Sequence, residues 1–154
     1  MVCRILSMYV LMVMVGPPSF AEIDQFAVMQ DFSRCAALYD HAADLGEKAG
    51  KPASAEGFRG AARGARLAAE VSAMMIDMPE DGASDADWKA YSANSAMRSE
   101  QVASLYSLEL NRQRALYESG EVDSDGMQRC IDLNPLQTTI VEQVRRSGYF
   151  SITE

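Results

Sequence analysis

Two groups of residues in this chain are of types that can do chemistry. The first is in DFSRCAALYDHAAD, residues 31–44, where Cys35 is followed six positions later by His41, the only histidine. A thiol beside an imidazole is the minimum equipment of a thiol enzyme. The spacing argues against it. At about 100° per residue, six steps place His41 roughly 120° around a helix from Cys35. Cys35 centres instead on the stripe Val28, Phe32, Cys35, Tyr39, Ala42, Gly46, whose alternating steps of four and three mark a face turned to a partner. His41 falls with Gln30 and Arg34 on the polar side, where it reads as a solvated surface residue.

The second group is EVDSDGMQRCID, residues 121–132. A calcium loop of EF-hand type places oxygen ligands at positions 1, 3, 5 and 12 and glycine at position 6. Glu121, Asp123, Asp125 and Asp132 stand at those ligand positions, with Gly126 as the glycine. Their oxygens could surround one hard cation. Against this, Glu replaces Asp at the first position and Asp132 has too short an arm for easy bidentate ligation. Gln128 also stands where an apolar residue is expected, and Asn134-Pro135 follows at once. The competing reading is an acidic turn in which Asp123 or Ser124 caps a helix. Met74, Met75 and Met78 with His41 offer soft ligands to copper(I), but methionine on a mostly buried helix reads as core filler. No metal and no cofactor is assigned.

Other chemistries lack their parts. The chain has no Cys-x-x-Cys-His for covalent haem, no Cys-x-x-Cys redox pair and no His-Glu-x-x-His zinc site. A glycine-rich phosphate loop and a Gly-x-Ser-x-Gly nucleophile elbow are absent too, and a single histidine excludes the di-iron carboxylate bundle. An enzyme built on two carboxylates far apart in sequence leaves no local signature, so it stays open as an alternative.

The compartment is more legible. MVCRILSMYVLMVMVGPPSFAEID opens with Arg4, then an apolar run from Ile5 to Val15, then a Gly-Pro-Pro break. Ser19 and Ala21 place small residues where a signal peptidase needs them. The run is eleven residues, short of the roughly 20 that a spanning helix requires. Residues 1–21 therefore read as a signal peptide, and 22–154 as one helical domain with no stable membrane insertion after cleavage. The mature chain would carry 13 basic and 22 acidic residues, a formal charge of −9. Such a surface repels nucleic-acid phosphates and anionic headgroups. In an oxidising compartment Cys35 and Cys130 are expected to pair as a disulfide, and the bacterial periplasm is the expected location.

The elements that would position these residues are helical throughout. Helices are expected over about 23–48, 55–78 and 85–119, with a last one opening at Asn134 as N-cap and Pro135 at its first position. Ser84 and Asp87 resemble a capping box before the third. In the second, Arg59, Arg63 and Arg66 share a face with Glu70 and Asp77. That face reads as salt-bridged, with Arg66 and Glu70 paired, rather than as an anion clamp. Gly60 and Gly64 suggest that another backbone approaches closely. In the third, Trp88, Tyr91, Val102, Tyr106, Leu110 and Tyr117 form a stripe that reads as core, with a tyrosine-lined groove as the functional alternative. In the last, Leu136, Ile140 and Val144 face inward, Gly148 terminates, and Tyr149 and Phe150 follow as a lid.

The expected fold is an all-α, four-helix bundle-like domain stapled by one disulfide. The expected function is a non-catalytic binding or regulatory protein of the periplasm, more consistent with no enzyme than with one. Its partner would be another envelope or secreted protein, or a second copy in a homodimer. Gly60, Gly64, Trp88, Tyr91, Tyr106 and Tyr117 are the candidate partner surface.

Overall fold

A computed structural model describes residues 24–147. The signal peptide, Gly148 and the Tyr149-Phe150 lid lie outside the described residues. Five helices follow in order: α1 (Gln25–Lys48), α2 (Pro52–Met75), α3 (Asp85–Ala93), α4 (Ser95–Glu118) and α5 (Ser124–Ser147). Four of them are 24 residues long and α3 has nine. The fold is an all-α bundle, with no strand among the described residues. No described helix is long and apolar enough to cross a membrane.

α1 opens where Asp24 accepts hydrogen bonds from the Phe26 and Ala27 N–H groups at 3.0 and 3.1 Å, a side-chain N-cap. Its far end turns through Gly50, whose φ of +69° suits glycine, into Pro52 at the start of α2. The two helices form an antiparallel hairpin held by small residues. Ala36 and Ala43 of α1 are buried, as are Ala55, Ala62, Ala65, Ala68, Ala69 and Ala73 of α2. Gly46 sits so close to Ala55 that an added Cβ would lie 3.4 Å from its backbone nitrogen. Alanine lets helix axes approach at little cost in side-chain entropy.

Five successive residues of α1, Cys35 to Tyr39, are buried. One stripe cannot do that. α2, α4 and α5 all pack against α1, so Met29, Ser33, Ala36 and Leu38 join the core beside Phe32 and Cys35, while Val28, Ala42 and Gly46 are only half-buried. Buried Ser33 is satisfied by donating to the Met29 carbonyl at 2.8 Å. From the other side, α5 brings Cys130, Ile140 and Val144 into the same cluster. Cys35 and Cys130 form a disulfide with 5.4 Å between their Cα atoms, and both are about 1% exposed.

Two helix boundaries differ from the sequence expectation. The expected third helix is interrupted at Asn94. Ser92, Asn94 and Ser95 are residues whose side chains compete with helical backbone bonds, and Arg98 reaches back to take the Tyr91 carbonyl at 2.6 Å. In an unbroken helix that carbonyl would receive Ser95 N–H. The capping box of α3 is present: Ser84 Oγ accepts from Asp87 N–H, and the Asp87 carboxylate accepts from Ser84 N–H. The last helix begins at Ser124, ten residues before Asn134, and Pro135 lies inside it. A proline there removes the bond to the residue 131 carbonyl. Residues 131 and 135 are both on the exposed side, so that carbonyl stays hydrated.

Enlarging the alanine seam tests the hairpin. Ala65→Leu should overpack it and lower unfolding free energy by about 1–3 kcal/mol in a denaturant titration, whereas Gly60→Ala, on the open surface of the same helix, should leave it unchanged or raise it.

Candidate functional site

Cys35 is consumed by the disulfide, and His41 points elsewhere. Its ring meets the edge of Tyr117, with centroids 5.7 Å apart. His41 is half-buried rather than solvated, and its Nε2 is buried without a hydrogen-bond partner. Burial pushes its pKa below the usual histidine value; Asp44 opposes this, and Arg114 and Lys48 add to it. The sequence missed this because Tyr117 comes from α4, across the bundle.

The densest polar cluster lies where α1, α4 and the start of α5 meet. Asp123 is its centre, with a side chain only 7% exposed. One oxygen accepts from Gly126 N–H at 2.9 Å, which makes Asp123 the N-cap of α5. The other accepts from Arg34 at 2.8 Å, Arg112 at 2.9 Å and Gln113 at 3.0 Å. Glu109 closes the ring, taking Arg112 at 2.7 Å and Gln113 at 2.6 Å. Burial alone would raise the Asp123 pKa. The hydrogen bonds from Arg34, the Gly126 amide, Gln113 and Arg112 outweigh it and hold the carboxyl well below the usual range. A carboxylate held ionised this firmly neither delivers nor takes a proton near neutral pH.

The same geometry corrects the calcium reading. Residues 124–132 are helix, so Asp125 and Asp132 stand on its exposed side, Asp132 bonded to Gln128 at 2.9 Å. Glu121 is exposed and Asp123 is already surrounded by donors. No three acidic, cysteine or histidine side chains among the described residues gather as a metal site. Gly126, read from sequence as a loop glycine, serves the cap: a Cβ there would lie 2.6–2.8 Å from the Asp123 carboxyl atoms.

The arginine face of α2 is divided among separate carboxylates. Arg59 pairs with Glu47 at 2.7 Å, Arg63 with Glu56 at 2.9 Å and Arg66 with Asp40 at 2.9 Å. The expected Arg66–Glu70 pair is replaced by one between helices. Tyr106 donates to Asp40 at 2.7 Å under the Arg66 guanidinium, 4.4 Å from its ring centre. Burial first, then this bond, pushes the Tyr106 pKa up to about 12. The candidate partner surface does not assemble as one patch. Tyr91 donates to the Met74 carbonyl, Tyr106 seats at Asp40, and Tyr117 lies 54% exposed beside His41. Trp88 stands edge-on to Tyr91 at 5.8 Å. Gly64 meets a side chain rather than another backbone: Gln137 of α5, which donates to the Ala61 carbonyl at 3.3 Å. Gly60 is exposed, with only Arg63 near.

A hollow of about 420 Å³ lies between the turn after α2, α3 and the start of α4. Asp77, Glu80, Asp87, Tyr91 and Arg98 are among its lining residues. Arg98 is 7% exposed and lies over the Tyr91 ring at 4.0 Å. Its Nε has no hydrogen-bond partner. No pattern of residues announces this hollow, because it depends on the break at Asn94.

The chain matches no protein-family model, no curated protein and no solved structure at a significant level. The functional reading therefore rests on the geometry alone.

Gly126→Ala should destabilise the protein, although the same exchange inside an ordinary helix gains about 1 kcal/mol. Here the methyl group must displace a carboxylate fixed by three side-chain donors. A denaturant titration decides the sign. Acid unfolding tests the depressed Asp123 pKa. A carboxyl lower in the folded than in the unfolded state stabilises fully above the unfolded value of about 4, and that stabilisation fades as pH falls below it. The melting temperature should decline gently as pH falls below the usual histidine value, because buried His41 resists protonation, and more steeply below about 5, and Asp123→Asn should be less stable at neutral pH and lose less in that acid range.

Proposed function

We propose that this protein is a secreted, non-catalytic binding or regulatory module of an oxidising envelope compartment, docking on another envelope protein or on a second copy. The observation that carries this reading is on α4. Met97 and Leu108 are 61% and 71% exposed and stand eleven residues apart. Three helical turns bring such positions to within about 20° of one another. Large apolar side chains aligned on the outer side of a helix are the kind of feature that helical partners use.

Three further features support it. The buried Cys35–Cys130 bond suits an oxidising compartment. The alanine-packed, stapled bundle presents a preorganised face, which lowers the ordering cost of association. Asp123, whose side chain is nearly enclosed, is spent on holding α5, which gives no support to the carboxylate-enzyme alternative. The acids at the hollow, Asp77, Glu80 and Asp87, are exposed.

The double variant Met97→Glu, Leu108→Glu should keep its melting temperature, since surface exchanges shift stability by about 0.5 kcal/mol or less. It should lose association, read by light scattering for self-association and by site-specific cross-linking in intact cells for an envelope partner. Unchanged association by both readouts overturns the proposal. The intact mass and free-thiol count of the protein exported from its native host test the compartment: a mass beginning at Glu22 with no free thiol is expected, and a full-length mass with two free thiols in the mature segment rejects it.

A further inference from the structure

We infer that the hollow between α3, α4 and the turn after α2 is a binding site for a small zwitterion of amino-acid type, its carboxylate drawn to Arg98 and its ammonium to Asp77 and Glu80. The inference is independent of the α4 docking face.

Arg98 is the reason to look for a ligand. The residue as a whole is only 7% exposed, and buried arginine is ordinarily paired with a carboxylate. Arg34, Arg59, Arg63, Arg66 and Arg112 each have a carboxylate partner; Arg98 has no acid within 4.0 Å among the described residues. One Nη donates to the Tyr91 carbonyl at 2.6 Å, close to the negative end of the α3 dipole, and the Tyr91 ring covers one face. Those contacts hold the group in place and supply only partial negative charge. The Nε, itself enclosed, is left without an acceptor, so a ligand in the hollow would be met by the Nη groups. The fork geometry of a guanidinium is best met by a carboxylate.

The remainder of the lining sets the other half of the ligand. Asp77 and Glu80 are exposed, and no described side chain pairs with either. Asp87 is occupied by the α3 capping box. The lining therefore carries one cation and three anions; Asp87 is held by neutral donors, and none of the three is paired with Arg98. An anion alone would be repelled by Asp77 and Glu80; a cation alone would leave Arg98 unmet. A molecule bearing both charges answers both. The volume of about 420 Å³ lies toward the lower end of the roughly 300–1,000 Å³ of small-ligand sites.

The test uses a reporter already in place. Trp88 is the only tryptophan, and its ring meets the edge of Tyr91, on which Arg98 lies. Its fluorescence would be followed while the intact protein is titrated with glycine, L-glutamate or L-lysine at constant ionic strength, with acetate and ethylammonium as single-charge controls and calorimetry as a second readout. A saturable change is expected with at least one amino acid, with both controls at least about tenfold weaker, a difference of about 1.4 kcal/mol. Asp77→Asn with Glu80→Gln, both on the surface, should weaken binding about tenfold while leaving the melting temperature unchanged. Arg98→Lys, which keeps the charge and loses the fork, should weaken it as well. No saturable response to any of the three amino acids overturns the inference. So does acetate binding as tightly as the best amino acid, or an acid-neutralised variant that binds like the parent.

Discussion

The approach of α1 to α2 is the contact on which the rest depends. Their shared face is made mostly of alanine, with Gly46 against Ala55 at its turn end. Alanine alone buries little area per residue, so the seam gains from closeness and many dispersion contacts rather than from large side chains. The bulk comes from Met29, Phe32, Leu38 and Tyr39 of α1 and Val71 of α2. Because α1 is covered on several sides, it also fixes where α4 and α5 must lie, and several of the long-range polar joints of the bundle start from it, at Asp31, Arg34 and Asp40.

The polar joints have different energetic standing. Arg59–Glu47 and Arg63–Glu56 are open to water, where such pairs contribute little. Asp123 is nearly enclosed and touches three elements at once: α1 through Arg34, α4 through Arg112 and Gln113, and α5 through the Gly126 amide. Removing that carboxylate would uncap a helix and leave donors without an acceptor, a loss larger than that of a surface pair. The disulfide and the Asp123 cluster hold the first two turns of α5 together.

What the sequence made legible was local or compositional. The helix-rich pattern, the Ser84–Asp87 capping box and the inward stripe of Ile140 and Val144 depend on residues near one another in the chain, and the even cysteine pair is a matter of composition. What it hid depends on distant partners. Asn134-Pro135 carries the usual signs of a helix start, yet Asp123 outcompetes it, since its second oxygen is bound by groups from α1 and α4. The tyrosine stripe is regular in sequence, but the break at Asn94 and the separate acceptors at Met74 and Asp40 scatter it. Arg98 carries no signal in sequence: a lone arginine between Met97 and Ser99 reads as a surface residue, and its burial follows from the chain doubling back on Tyr91.

The disulfide joins residues 95 apart in sequence and so encloses all of α2, α3 and α4 in a covalent loop. Were the folded chain pulled by its two ends, tension would pass from α1 through the Cys35–Cys130 bond directly to α5. The helices inside the loop would bear almost none of it. Only the segments outside the two cysteines could uncoil, each yielding at most about 3.3–3.6 Å per residue, and the α4 face and the hollow would keep their shape under load.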